Sequence, residues 1–340
     1  MRRATFGLAA VLGTVGAVLL AATVTAKDAP ARTWATELSL VAYSTPREAY
    51  AKLIPMFQRT AAGKDVDFSQ SYGASGEQAR AVKAGLEADL VALSLAPDVD
   101  ELVRAGLVHR SWVKQPYEGM VTNSLVVFVV RDGNPKKIRS WNDLLRPDVD
   151  VVTPNPFTSG GARWNVMAAY GAWRRVGKTD RQAEANLLKL FRNVVVQDKS
   201  ARDSLNTFVS GKGDVLLAYE NEALFSRTKG LDLQFVIPKS TILIENPIAV
   251  VKTSKEKAAA NAFIRFLQTP AAQQVFADNG YRPVVKRVLE RNRKKFPVRP
   301  GEFRIDAPSL GGWTKVQKRF FDPKTGIMVG IEKRVGGDTG

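Results

Sequence analysis

Residues 151–170, VVTPNPFTSGGARWNVMAAY, constrain the fold more than any other stretch of the chain. Val151 and Val152 read as the end of a buried strand. Thr153-Pro154-Asn155-Pro156 cannot extend it, because proline has no ladder N–H and restricts the residue before it. Ser159-Gly160-Gly161 follows, and then good helix formers with apolar residues at helical spacing from Ala162 to Ala172. The pattern predicts strand, tight turn and helix. Glycines let the backbone approach a partner closely, and the first turn of a helix has N–H groups without an internal acceptor. Such an entrance suits an anion. The ordinary alternative is a serine N-cap on a surface helix.

The same grammar recurs along the chain. Leu38 to Ala42 is a short buried strand that runs into Thr45-Pro46-Arg47-Glu48, where Thr45 and Glu48 fit a capping box and Pro46 suits the first helical position. Val66 to Phe68 leads to Ser75 and Gln78, and Val194 to Val196 leads to Ser200 and Asp203, both again in capping-box spacing. Further strands are predicted at Leu90–Leu95, Val215–Tyr219, Phe235–Ile237 and Ile242–Val251, the last interrupted by Pro247. Helices are predicted at Asp98–Ala105, Ser140–Leu145, Arg181–Phe191, Lys255–Gln268 and Pro270–Asn279. After Phe296 the pattern is loop-rich, with one aromatic helix around Trp313–Phe321. Alternating strands and helices predict an α/β protein with mostly parallel sheets.

Two long apolar runs, Leu125–Val130 and Ile242–Val251, bracket about 120 residues, as crossings between two lobes would. The expected organisation is lobe 1 from residues 38–123 and 248–340, lobe 2 from residues 124–247, and a cleft between them. Ligands of open α/β sheets lie beyond the carboxyl ends of the strands. Closing the cleft would therefore gather the entrances at Thr45 and Ser75 from one lobe and at Ser159 and Ser200 from the other. Each helix start carries about half a positive charge, so several aimed at one point suit a dianion with no lysine or arginine in contact. The N–H groups of Ser75, Gly160, Gly161 and Ala201 and the hydroxyl of Ser159 are the candidate donors.

Composition removes most other chemistry. There is no cysteine, which excludes disulfides and thiolate sites, and the single histidine, His109, cannot build a multi-histidine metal site. It reads as solvent-facing or packing. Ser75 and Ser159 lack the glycine spacing of a nucleophile elbow, and no Gly-x-x-x-x-Gly-Lys-Ser/Thr occurs. Asp98, Asp100 and Glu101 read as a solvated helix face. Glu220 and Glu222 read as structural partners of Arg163 or Arg202. No cofactor or metal is implied.

Arg2 and Arg3 precede an apolar run from Phe6 to Val24 and a small-residue cleavage pattern, Val24-Thr25-Ala26. Residues 1–26 thus read as an export leader, or as an anchor if uncut, and residues 27–37 as a polar linker. Net charge is +17, or +15 without the leader. The densest run, Arg282 to Arg299, has eight basic residues and one acid, Glu290, and reads as a solvated face. It has no alternating aromatic platform, and an exported chain gives little reason to expect nucleic acid.

At these residues the chain resembles the exported sulfate-binding proteins that feed ABC importers, and their thiosulfate-binding relatives. The matching segments are TPNPFTSGGARWN (153–165), QSYGASGEQARAV (70–82), SARDSLNTF (200–208), DVLLAYENEAL (214–224), YRPV (281–284) and GGWTKVQKRFF (311–321). The resemblance implies a two-lobed periplasmic-binding-protein-like fold of type II that closes on one sulfate, works as a monomer outside the cytoplasmic membrane, and delivers to a membrane permease with a separate ATPase. It places ligand donors at Ser75, Ser159, Gly160, Gly161 and Ala201. Where the family commonly has a tryptophan indole this chain has Tyr219, and where it often has an aspartate this chain has Ser44. The same fold binding another oxyanion, such as molybdate or phosphate, and an exported hydrolase are the competing readings.

Overall fold

The computed structural model describes residues 35–339 apart from Asp232. The leader and most of the linker lie outside the described residues. In chain order the elements are β1 (Thr36–Tyr43), α1 (Arg47–Phe57), β2 (Val66–Gly73), α2 (Ser75–Lys83), β3 (Leu90–Ala92), α3 (Ala96–Arg104), β4 (Met120–Val130) and β5 (Val151–Pro154). There follow α4 (Gly160–Arg175), α5 (Asp180–Arg192), β6 (Val194–Asp198), α6 (Ala201–Val209), β7 (Val215–Tyr219), α7 (Glu220–Thr228), β8 (Gln234–Val236) and β9 (Thr241–Val250). The last are α8 (Lys257–Leu267), α9 (Pro270–Asp278), β10 (Arg282–Pro283), α10 (Lys286–Arg291), β11 (Glu302–Phe303), α11 (Trp313–Phe320) and α12 (Ile327–Val335).

The strands follow one path, β2-β1-β3-β9-β4-β7-β5-β6. Pairing is parallel within each lobe, between β1 and its neighbours β2 and β3, and between β5 and its neighbours β6 and β7. Among the described strands, every antiparallel pair involves β4 or β9, the strands that carry the chain across. The all-apolar run of β4 has a simple cause. Val126, Phe128 and Val130 face one hydrophobic cluster while Leu125, Val127 and Val129 face another, so no position points at water. β9 continues through Pro247, opposite an irregularity at Met120 and Thr122 that absorbs the missing ladder donor.

In lobe 1, Leu38, Leu40 and Ala42 of β1 pack with Tyr50, Leu53 and Phe57 of α1 and with Phe263 and Phe276. Val41 and Val91 face the other side, toward Val82, Leu102 and Trp112.

Four features differ from the sequence expectation. β1 begins at Thr36, inside the expected linker, because Thr36 and Glu37 pair in register with Val66 and Asp67 whatever their polarity. Residues 140–145 form only a short 3₁₀ turn at Asp143–Leu145. The Asp143 carboxylate accepts from the N–H groups of Arg139 and Ser140, and Pro147 holds Arg146 extended. The tail contains a second helix, α12, which ends at the left-handed Gly336. The tail also packs on the lobe 2 core rather than lobe 1: Phe303, Val316, Phe320, Met328 and Ile331 join Trp164, Tyr170, Leu187 and Phe191. Gly171 of α4 makes room for this, since a Cβ there would lie 2.4 Å from the Phe303 ring.

The basic run from Arg282 is not uniformly a solvated face. Arg282 is buried and makes a two-point pair with Glu220, Nε to Oε2 at 2.6 Å and Nη2 to Oε1 at 3.1 Å, which ties β10 to the start of α7. Removing one member of such a pair strands the other charge. Urea denaturation of Arg282→Ala should therefore show a loss of about 3–5 kcal/mol. A loss near zero would mean Glu220 is solvated.

Candidate functional site

Each helix entrance is built differently. α4 starts at Gly160 with Ser159 as N-cap, and the turn before it is shaped by Asn155, whose Oδ1 accepts from Phe157 N at 2.7 Å and whose carbonyl accepts from Ser159 N at 2.9 Å. The Ser159 hydroxyl makes no capping bond, and it has no hydrogen-bond partner among the described residues. α6 starts at Ala201, capped by Ser200, whose Oγ accepts from Asp203 N at 3.2 Å and donates to Asp203 Oδ2 at 2.7 Å. This is half of the expected capping box, because aspartate is too short to reach back to the Ser200 N–H.

The entrances of α1 and α2 are not capping boxes. Thr45 Oγ1 is 2.8 Å from the Tyr281 hydroxyl, and Glu48 turns to Arg202. At α2 the N-cap is Ala74. Ser75 Oγ instead donates to Asp98 Oδ2 at 2.5 Å and accepts from Ser94 N at 2.9 Å.

The structure brings most of the sequence-derived candidates together. A Cβ on Gly161 would lie 3.3 Å from Ala201 Cβ, 3.3 Å from Ser159 Oγ and 3.5 Å from Tyr219 Cε1. A Cβ on Gly160 would lie 2.6 Å from Ser94 Oγ, and Ser94 in turn bonds Ser75. Ser159, Gly160, Gly161, Ala201 and Tyr219 are therefore neighbours, with Ser94, and through it Ser75, against Gly160. The N–H groups of Ser75, Gly160, Gly161 and Ala201 open their helices and have no acceptor one turn back. Ser44 is half-buried and follows Tyr43, whose ring centroid is 6.4 Å from that of Tyr219.

The lobes are in contact across this space. Gly76 N donates to Thr158 O at 3.0 Å, Trp164 Nε1 to Ser94 O at 2.9 Å, and Arg202 reaches Glu48 at 2.6 and 3.0 Å and Thr45 O at 3.2 Å.

Of the nearby cations, Arg202 and Arg163 are paired with carboxylates, while Arg80 Nη1 donates to the Phe157 carbonyl at 3.3 Å. Arg202 also holds both oxygens of buried Glu222, at 2.7 and 3.0 Å. Arg163 lies 3.4 Å from Asp98 Oδ1 and donates to Pro156 O. Burial pushes the Asp98 and Glu222 carboxyls upward, opposed by Arg163 and Arg202 respectively. For Glu48 burial also acts upward, but the hydrogen bond and charge of Arg202 outweigh it and hold the carboxyl below its usual value.

These contacts correct three expectations. Glu220 pairs with Arg282, not with Arg163 or Arg202. Asp98 is buried at the site instead of on a solvated face, because Ser75 and Arg163 both reach it. Ser94 was not among the candidates. Its signal was present, since β3, Ser94 and Pro97 repeat the strand, hydroxyl, helix order. His109 is exposed.

A family model of bacterial extracellular solute-binding proteins matches residues 38–282. The chain belongs to that family. Within this extracellular solute-binding family it is similar to a sulfate-binding protein of Synechococcus elongatus, 42 % identical over 84 % of this chain and 83 % of the relative. A thiosulfate-binding protein of Pseudomonas aeruginosa is 35 % identical over 83 % of this chain and 88 % of the relative. Among solved structures, the sulfate-binding protein SubI from Mycobacterium tuberculosis superposes with a TM-score of 0.81 at 42 % identity, covering 84 % of this chain and all of that one. More distant extracellular solute-binding structures, such as a periplasmic thiamin-binding protein at 17 % identity and TM-score 0.60, share the two-lobed fold alone.

Gly160 is the steric key to lobe contact. A Cβ there would lie 2.0 Å from Leu95 Cδ2, 2.6 Å from Ser94 Oγ and 2.8 Å from Ser94 Cβ, all on the opposite lobe. Gly160→Ala should fold normally, since alanine suits a helix start, but should hold the lobes apart. Small-angle scattering should give it a larger radius of gyration than the parent, and equal radii would refute this packing.

Proposed function

We propose that this family member captures sulfate, and thiosulfate as a second ligand, in the cleft between its lobes and delivers it to the permease of an ABC-type importer driven by a separate ATPase. The observation that supports this best is the meeting of four N–H groups from the starts of three helices, α2, α4 and α6. The ligand contacts in this reading are the N–H groups of Ser75, Gly160, Gly161 and Ala201 and the hydroxyls of Ser159 and Tyr219, with Ser44 at the rim. Arg163 and Arg202 act from behind, fixing the turns while their charges are matched by Asp98, Glu48 and Glu222.

Ligand choice follows from proton count. Sulfate is fully ionised near neutral pH and presents only acceptors, which a cradle of donors satisfies. Hydrogen phosphate brings a proton that needs an acceptor, and an unmet pairing in a buried site costs about 1–3 kcal/mol. The acids close by offer little: both Glu222 oxygens are held by Arg202, while those of Asp98 face Ser75 and Arg163. Release then requires lobe opening about the crossing strands, triggered by docking on the permease. The mature protein works as a monomer in the periplasm or its equivalent after the leader is cut. In this reading the protein is a receptor and not an enzyme, and among the described residues no base is hydrogen-bonded to the Ser159 hydroxyl.

Titration calorimetry of the mature protein with sulfate, thiosulfate, molybdate and phosphate tests the assignment. Sulfate should bind most tightly or share first place with thiosulfate. At a hundredfold excess over its dissociation constant, it should stabilise the fold by about 2.7 kcal/mol. Ser159→Ala removes one hydrogen bond to a charged ligand and should weaken sulfate binding by about 1.5–3 kcal/mol. Unchanged affinity in that variant would remove Ser159 from the site.

A further inference from the structure

Ser94 Oγ and Tyr219 Oη lie 2.5 Å apart, each residue is 1 % exposed, and among the described residues each hydroxyl is the other's single partner. The two come from opposite lobes. Ser94 is held firmly by its main chain: its N–H donates to Ser75 Oγ, and its carbonyl accepts from Trp164 Nε1 and Asn246 Nδ2, all at 2.9 Å. The pair borders the cradle, because a Cβ on Gly160 would meet Ser94 Oγ at 2.6 Å and one on Gly161 would meet Tyr219 Cε1 at 3.5 Å.

Two hydroxyls in contact hold two protons. One lies between the oxygens and the other points outward, and a hydroxyl rotor can place it on either side. When Ser94 donates to Tyr219, the phenol sends its own proton outward and acts as a donor, as an indole would. When Tyr219 donates to Ser94, the phenol oxygen turns a lone pair outward while the serine proton becomes the donor. An indole N–H has only the first of these states. Burial raises the phenol's pKa well above its usual value, so both protons stay in place.

We propose that Ser94 and Tyr219 act as one two-state hydroxyl unit that lets the cleft take a monoprotonated tetrahedral oxyanion as well as a fully ionised one, with Ser94 the specificity-determining residue. The proposal rests on the oxyanion-binding reading above. Sulfate uses the donor state of the phenol. Hydrogen phosphate uses the other, donating its single proton to Tyr219 while an unprotonated oxygen accepts from Ser94. Ser94 makes the second state available, because in a buried site the phenol's proton must itself find an acceptor. The site thus discriminates against hydrogen phosphate less sharply than a donor-only cradle would.

The test is displacement of bound sulfate by hydrogen phosphate, followed by calorimetry on the mature protein at mildly alkaline pH, with Ser94→Ala and Tyr219→Phe alongside. The parent should release sulfate to millimolar hydrogen phosphate. Ser94→Ala should weaken hydrogen phosphate about tenfold more than it weakens sulfate, and Tyr219→Phe should weaken both anions. The proposal is overturned if the parent shows no displacement, a result that requires no variant to fold, or if Ser94→Ala weakens both anions equally. Failure of the parent to bind sulfate at all would instead remove the function proposed above, so the two failures are distinguishable.

Discussion

A helix begins with amides that have nothing behind them to bond, and this structure turns several such beginnings toward one another. That requirement reaches through the whole molecule. The parallel strands end on the cleft side so that each following helix starts there. Gly160 and Gly161 have no side chains because Leu95, Ser94, Ala201 and Tyr219 already occupy the space around them. The Arg163 and Arg202 guanidinium groups nearby are matched by carboxylates within the protein.

The charge arrangement behind the cradle has its own logic. Buried Asp98 faces a guanidinium on one oxygen and a serine hydroxyl on the other, and Arg163 also bonds the Pro156 carbonyl in the turn that leads into α4. One ion pair therefore sets the approach of two helix starts from two lobes. Desolvating such a pair contributes little net stability. Its contribution is geometric: if either member moves, the turn at Pro156 and the Ser75 side chain lose their reference.

Legibility in the sequence followed the range of the interaction. The β4 run and the Ser159-Gly160-Gly161 entrance were readable because strand burial and turn chemistry are local. Thr45 and Ser75 were singled out as capping residues, yet their hydroxyls are engaged by Tyr281 and by Asp98 and Ser94, partners far away in the chain. Arg282 looked like part of a solvated basic run because nothing local marks the Glu220 carboxylate that lies against it. The tail gave the same difficulty. Phe303 and Phe320 join the lobe 2 core only because α4 and α5 leave a face for them, which no pattern within residues 296–339 reveals.

Arg202 stands between two acids of unlike standing. Glu222 follows β7 in its own lobe and is fully enclosed, whereas Glu48 belongs to the other lobe and keeps about a quarter of its side chain in water. Parting the lobes breaks the second contact and spares the first. The guanidinium therefore never loses its enclosed counterion, and the carboxylate that is released is the one already reached by solvent. Dissolved ions compete with an interaction of that second kind and leave the first almost untouched. Separation of the lobes at this contact should accordingly respond to ionic strength, while the enclosed Arg202–Glu222 pair beside Ala201 should not.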